Sequence, residues 1–312
     1  RPARWCWCAH IAGGRSMPEP LRLTPAGWLR EGRPWTPSLP FYAVVGDPIA
    51  HSLSPRMQAA ALAERQLAHE YLALEVAADQ LAELKARTAV TTGFTLAGFN
   101  VTAPHKEAVA ALCDGRTDQA RALGAVNTVR VEDGRWLGHN TDSGGLLAVL
   151  TQLWRGDSPP AVAVVLGTGG SARAAVDALL RWGVAAVDVR WHSTAGRDRF
   201  EQWLGERGLG EEVSLAPLGA DDELPPDEPC AWISCLAGGV SSRPFLPPAA
   251  GAAACLLVDV RYGNQLPAEA PPLGFSFTDG LPMLLMQGGL SFAWWFGPPV
   301  PWAAMHAALP SR

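Results

Sequence analysis

Two kinds of hydrophobic spacing alternate along this chain. Short apolar runs rich in β-branched residues occur at 41–46 (FYAVVG), 69–76, 97–102 and 161–166 (AVAVVL). Runs of that length, closed off by turn residues, predict strands buried on both faces. Helical spacing fills the intervals. Met57, Ala60, Ala61 and Leu67 mark one face of a helix that opens at Ser54-Pro55, with Ser54 as the expected N-cap and Pro55 at the first helical position. Further helices are predicted over 80–90 and from Pro104. A β-α-β-α-β order predicts a mainly parallel sheet with helices on its faces. Segments 125–131 and 135–140 flank Asp133-Gly134, a two-residue hairpin signal. A helix over 143–154 then leads into a linker at 156–160.

A second α/β pattern starts at residue 161. Its strands are predicted at 161–166, 186–191, 213–215, 231–234 and 256–260, with helices after the first two. An acidic, proline-rich loop covers 221–229. A long helix at 281–295 and a short one at 302–309 close the chain. The first forty residues are rich in Arg, Pro, Gly and Trp and lack periodicity, which predicts an irregular extension; Met17 is an alternative start within it. The fold class is therefore α/β, in two domains.

Composition narrows the partners. The net charge of −5 and the lack of long basic runs argue against nucleic acid or an anionic membrane. No segment holds the roughly 18 uninterrupted apolar residues that span a bilayer. The six cysteines are scattered. Cys6-Trp7-Cys8 stands too isolated for a metal site, so ordinary thiols, a cytoplasmic location and no metal are expected.

The candidate chemistry sits at strand ends. The run at 161–166 stops at Gly167-Thr168-Gly169-Gly170 and a helical pattern begins at once. Such a turn lets backbone N–H groups approach a pyrophosphate, and the helix dipole favours its charge. Four polar clusters close the strands of the first unit: 46–55 (GDPIAHSLSP), 98–106 (GFNVTAPHK), 124–128 (GAVNT) and 138–142 (GHNTD). Their hydroxyls, amides, one Lys and one Asp suit a small polyhydroxylated carboxylate.

From Tyr42 to about Leu309 the chain resembles the shikimate dehydrogenases. HSLSP, NVTxPxK, GAVNT, NTD and GxGGxxR occur in that family's order and spacing, and Asp279–Gln287 fits its terminal GLxMLxxQ pattern. The resemblance implies a shikimate-binding domain over 41–142 joined by a C-terminal helix at about 290–312, a Rossmann-like NADP-binding domain over 143–289, and a cleft between them. It implies reversible NADPH-linked reduction of 3-dehydroshikimate to shikimate, in the pathway to chorismate and the aromatic amino acids, by a monomer or homodimer. Alternatives are a quinate or aminoshikimate dehydrogenase using NAD, and a non-catalytic ligand sensor.

Carried over residue by residue, Lys106 and Asp142 are the catalytic pair. Ser52, Ser54, Thr102, Asn127, Tyr262 and Gln287 match substrate-binding positions. Gly167, Thr168, Gly169, Gly170, Ser171, His192, Ser193 and Gly280 match the cofactor side. His51 and His105 match no catalytic position and read as structural or surface residues. The cofactor side also departs from the family. Trp191-His192-Ser193 stands where NADP-dependent members usually carry Asn-Arg-Thr, and a neutral His is a poor substitute for a guanidinium that grips phosphate with two hydrogen bonds. Arg190 and Arg197 are the nearest guanidiniums in sequence. No acidic residue for the ribose of NAD stands there either, so NADP is favoured and NAD stays open. Ser234-Cys235-Leu236 replaces the family's usual Asn-Ala-Thr or Ser-Thr. Segment 263–273 lacks the usual Thr-Pro-Leu and following helix, so that connection looks shortened. Gly288-Gly289 interrupts a helix at a cost of about 1 kcal/mol per Gly.

Overall fold

The computed structural model describes residues 19–24, 27–37, 40–89, 96–219, 228–246, 254–266 and 274–310. Two compact units divide them: one runs to Thr141 and resumes at Gly288, the other is Asp142–Gln287.

The first unit holds β1 (Leu21–Thr24), β2 (Gly27–Arg30), β3 (Arg33–Trp35), β4 (Phe41–Gly46), α1 (Ser54–Glu64), β5 (Glu70–Glu75), α2 (Leu81–Ala89), β6 (Leu96–Val101), α3 (Lys106–Leu112), β7 (Gly115–Arg116), α4 (Asp118–Leu123), β8 (Thr128–Glu132) and β9 (Arg135–His139). Its sheet runs β3-β2-β1-β5-β4-β6-β8-β9-β7. Every residue of β4 is buried, because β5 and β6 flank it in parallel and its faces are covered. β8 and β9 form the expected hairpin at Asp133 and Gly134, both in the left-handed region (φ 51° and 73°) that a two-residue turn requires. A Cβ on Gly134 would lie 2.7 Å from the Ala89 Cα, so the turn also rests directly on the end of α2. Beneath it, Trp136 meets Phe99 edge-on at 4.9 Å and its indole N–H donates to Thr88 Oγ1 at 2.8 Å.

Three expectations are corrected. The stretch up to residue 40 is not irregular in its described part. β1 lies parallel to β5 with Leu21 opposite Leu74, and β2 and β3 continue antiparallel. Leu21, Leu23 and Trp28 are buried in the main core, while Arg22 turns outward to pair with Glu75 at 3.2 Å. Interleaved arginines and prolines hid an alternation only a few residues long. Residues 1–18, with Cys6, Cys8 and Met17, lie outside the described residues. Next, Ser54 is the first helical residue rather than the cap; its N–H donates to Ser52 Oγ at 3.3 Å, and Pro55 falls one place later. Finally, α3 opens at Lys106, not Pro104, because His105 N–H closes a turn onto Thr102 O at 3.0 Å.

The second unit holds α5 (Asp142–Leu153), β10 (Val162–Leu166), α6 (Gly170–Trp182), β11 (Ala186–Trp191), α7 (Thr194–Arg207), β12 (Val213–Pro217), β13 (Cys230–Ser234), β14 (Cys255–Asp259) and β15 (Phe275–Thr278). The order β12-β11-β10-β13-β14-β15, parallel throughout, is the doubly wound arrangement of a dinucleotide-binding sheet. β15 was not expected. Most of the acidic loop at 221–229 lies outside the described residues. After Tyr262 a single 3-10 turn (Gly263–Gln265) is described, and 267–273 are not.

Helix α8 (Leu281–Phe296) and α9 (Trp302–Ala307) end the chain. Gly288 and Gly289 have a packing role. A Cβ on Gly288 would lie 2.2 Å from Met57 Cε of α1, and one on Gly289 2.1 Å from the Trp302 ring of α9. Their helix-propensity cost is the condition for that close approach.

If β1–β3 are integral, Trp28→Ala will cost about 3–5 kcal/mol of unfolding free energy, as expected for a buried aromatic. Urea denaturation measures it, and a cost below about 1 kcal/mol would make the added strands peripheral.

Candidate active site

In the first unit the polar clusters meet at the carboxyl end of the sheet. Thr102 follows β6, and its N–H donates to Val45 O of β4 at 3.0 Å. Its methyl group lies over Gly46, where a Cβ would be only 2.6 Å away. Ser52, on the loop from β4, and Ser54, the first residue of α1, are both buried. Ser52 also lines a small groove with Glu19, Arg30 and Tyr71. Lys106, half-buried, opens α3, and its carbonyl accepts from Val126 N–H at 3.0 Å.

Asn127 ties these segments together. It is 2 % exposed. Its Oδ1 accepts from Thr141 N–H at 2.8 Å, and its Nδ2 donates to Thr141 Oγ1 at 2.9 Å. Its carbonyl accepts from Val101 N–H at 2.8 Å. Beside it lies a buried network that sequence reasoning missed. Asn100 Nδ2 donates to Asn127 O, Thr128 Oγ1 and Ser291 Oγ at 3.0–3.1 Å, and Asn100 Oδ1 accepts from Tyr71 Oη at 2.7 Å. Asn100 stood within NVT and was a visible candidate. Ser291, in the interior of an apolar helix, gave no signal beyond being polar there.

His105 is buried, with Nε2 2.7 Å from Val76 O, and so donates there. That is a structural role, as expected. His139 stacks on Trp294 (5.2 Å, 28°), and its Nδ1 meets Thr117 Oγ1 at 2.8 Å.

In the second unit, Gly167 has φ 111°, and a Cβ there would lie 3.0 Å from Cys235 O. Gly169 caps α6, is exposed, and has nothing within 4 Å of where a Cβ would sit. Gly196 of α7 would place a Cβ 2.6 Å from Thr168 Oγ1, so α7 packs on the same turn. An open approach at Gly169 to a helix N-terminus fits a dinucleotide pyrophosphate. Ser171 lies in the first turn of α6. Gly280 donates its N–H to Arg261 O at 2.7 Å, and a Cβ there would collide with Val260 O at 2.1 Å. Asp142 is buried at the start of α5. Gln287 of α8 packs on Gly145 of α5, where a Cβ would fall 2.8 Å from Gln287 Cβ. Tyr262 is half-buried at the head of its 3-10 turn.

The second-strand loop differs from the expectation in one respect. Arg190 is 6 % exposed and ion-paired to Asp188 two residues before it, so it is not poised for a ligand. Arg197 lies in the first turn of α7, with its guanidinium 5.5 Å above the Trp191 ring and paired to Asp198 at 2.6 Å. His192 is exposed, and Ser193 caps α7 by accepting from Gly196 N–H at 3.2 Å. Among the described residues no cluster of His, Cys, Asp or Glu could hold a metal, and no helix is long and apolar enough to cross a membrane.

Comparison with known proteins agrees with this geometry. The family model of the shikimate dehydrogenase substrate binding domain matches residues 44–129. A shikimate dehydrogenase (NADP(+)) of Anaeromyxobacter sp. is 37 % identical over 271 residues, covering 86 % of this chain and 95 % of its own. Its counterpart in Rhodospirillum rubrum is 37 % identical over 270 residues, covering 81 % and 90 %. The crystal structure of shikimate 5-dehydrogenase from Thermus thermophilus in complex with NADP(H) and shikimate superposes with a TM-score of 0.67 at 29 % identity, covering 86 % and 98 %.

A pH prediction follows from His139. Burial, and secondarily the Arg130 charge, hold its imidazole below the ordinary range. The unfolded chain takes the proton more readily. The contribution of His139 is therefore intact above the unfolded value of about 6.5 and is lost as pH falls toward the depressed folded value. His51 shifts the same way through burial. Stability will fall below about pH 6.5, and His139→Gln will flatten part of that fall. Identical pH slopes for the two proteins would contradict it.

Proposed function

We propose, from the premise that this chain belongs to the shikimate dehydrogenase family, that it catalyses the reversible NADPH-linked reduction of 3-dehydroshikimate to shikimate. The observation that carries the reading is the meeting of β4 with the NVT, GAVNT and NTD segments at one sheet end: Thr102 is hydrogen-bonded to Val45, Val126 to Lys106 and Asn127 to Thr141, so motifs far apart in sequence share that end.

NADPH supplies the hydride that this chemistry needs, and the turn Gly167–Ser171 with Gly280 would hold it. The chain's own residues handle charge and orientation. As the C3 carbonyl is reduced, negative charge develops on its oxygen. The Lys106 ammonium stabilises that charge and donates the proton. Asp142 supplies the anionic partner that orients Lys106. In the reverse direction Lys106 accepts the hydroxyl proton. Ser52 and Ser54 suit the substrate carboxylate, and Thr102, Asn127 and Gln287 its hydroxyls. Tyr262 matches the family's aromatic substrate contact.

NADP is the cofactor of this reading, and Arg197 is the residue that reads its 2′-phosphate. Its guanidinium is exposed enough to exchange Asp198 for a phosphate, and it lies 5.5 Å over the Trp191 ring. Arg190 is already committed to Asp188.

The direct test incubates the purified protein with shikimate and NADP+ and follows the reduced nicotinamide by absorbance; no turnover with either NADP+ or NAD+ would refute the reading. Lys106→Ala will lower kcat by about 10²–10⁴ while leaving shikimate affinity within about tenfold; activity within a factor of about three of the parent would remove Lys106 from the chemistry. Arg197→Ala will erase most of the preference for NADP over NAD in kcat/KM, which in the parent lies below about a hundredfold because His192 replaces the usual arginine. His192→Arg will widen it. A preference untouched by Arg197→Ala would assign the 2′-phosphate to another group.

A further inference from the structure

Arg261 stands outside every role assigned so far, yet all its donors are engaged. Nε donates to Asp259 Oδ1 at 2.8 Å and Nη2 to Asp259 Oδ2 at 2.6 Å. Nη2 also reaches Ser234 Oγ at 3.4 Å. Nη1 donates to two main-chain carbonyls, Ala237 O at 2.7 Å and Val240 O at 2.6 Å. Arg261 and Asp259 are 4 % and 2 % exposed. A guanidinium has five N–H donors in a fixed fork, and this one has five acceptors.

What the fork grips is a loop that would otherwise have little to hold it. Residues 237–240 are exposed and include Gly238 and Gly239, the latter at φ 77°. Glycines there leave the backbone its widest freedom. A buried ion pair adds little net stability in general, but it fixes geometry. The geometry fixed here is that of the binding edge. The loop leaves β13 at Cys235, whose N–H donates to Leu166 O at 2.8 Å and whose carbonyl borders Gly167. Gly239 N–H reaches Gln265 O at 3.3 Å, in the turn after Tyr262. The carbonyl of Arg261 accepts from Gly280 N–H at 2.7 Å. One residue thus links the segments that carry Gly167, Tyr262 and Gly280, at the carboxyl ends of β13 and β14. Those strands belong to the second mononucleotide half of a doubly wound sheet, across from the β10–β12 half.

We propose that Arg261 is a positioning residue for the dinucleotide. It presets the 235–240 backbone to receive the cofactor's nicotinamide half, while the adenosine half depends on β10–β12 and α7. This rests on the NADP-dependent reading above.

The test measures binding to the whole protein by calorimetry with two probes, NADP+ and adenosine 2′,5′-bisphosphate, which lacks the nicotinamide half. The variants are Arg261→Lys, which keeps the charge but not the fork, and the paired Asp259→Asn with Arg261→Met, which leaves no buried charge uncompensated. The expected result is NADP+ affinity weakened by about tenfold or more in the pair, as for a misplaced binding group, less in Arg261→Lys, with adenosine 2′,5′-bisphosphate affinity unchanged. Equal affinities for NADP+ in parent and variants, or equal losses for both probes, would overturn the positioning role, since a merely structural residue gives one or the other. Hydrogen exchange on the parent covers the case of variants that do not fold. Amides 236–240 should be protected before any cofactor is added, and fast exchange there would overturn preorganisation. A parent that binds neither probe nor NAD+ would instead overturn the NADP reading itself.

Discussion

The first unit depends on a buried hydrogen-bond network that centres on Asn100 and Asn127. Asn100 has both side-chain atoms engaged, with Tyr71 on one side and Thr128, Ser291 and the Asn127 carbonyl on the other. Asn127 in turn holds Thr141 by both main chain and side chain, and Thr141 Oγ1 meets Ser291 Oγ at 3.1 Å. In a low-dielectric interior such a network is strong when complete and costly when one member is missing. It therefore specifies one arrangement of β5, β6, β8, the end of the hairpin and α8. Ser52 and Thr102 lie on loops that leave those same strands or their neighbours, and Lys106 opens the helix after β6. The framework around the candidate site thus has few alternatives.

In the second unit sterics do the same work. Gly167, Gly196 and Gly280 each stand where a Cβ would approach another atom to 3.0 Å or less, against Cys235, Thr168 and Val260 respectively. Gly169 is different, since its Cβ direction is open. The first three glycines bring segments together, and the fourth leaves space for a ligand. Strand order alone predicts that a ligand binds where β10 and β13 diverge. The glycine contacts show which backbone groups are brought there.

Much of this was legible in the chain. The run at 161–166 with its glycines located β10, the turn and α6 nearly to the residue, because a buried parallel strand is continuously apolar and its end is abrupt. Asp133-Gly134 located the hairpin for a similar reason, since few dipeptides accept two left-handed residues. The N-terminal strands were hidden because each is only three or four residues long and is interrupted by arginines that point outward. β15 was hidden for a related reason: Ser276 and Phe277 are exposed, so the strand lacks a buried run. Motif matching named Asn127 but not Ser291, whose role exists only through contacts made across the sequence. Gly288 and Gly289 showed the opposite failure. Local propensity counted them as losses, but in the fold a Cβ on either would run into Met57 or Trp302.

The two buried Arg–Asp pairs of the second unit show why charge in a sequence does not announce its use. Asp188 and Arg190, and Asp259 and Arg261, share the same spacing of two, which puts both side chains on one face at a strand end. Sequence reading offered Arg190 as a phosphate ligand and did not consider Arg261. In the fold, Arg190 is paired on β11 beside Ser214, whose hydroxyl donates to Asp188 at 3.1 Å. Arg261 has spare donors beyond its aspartate, and these reach two loop carbonyls. An arginine neutralised by its neighbour is structural unless donors remain, and what those donors touch decides its part. By that criterion Arg197, half-exposed and paired to the surface carboxylate of Asp198, differs from both buried arginines.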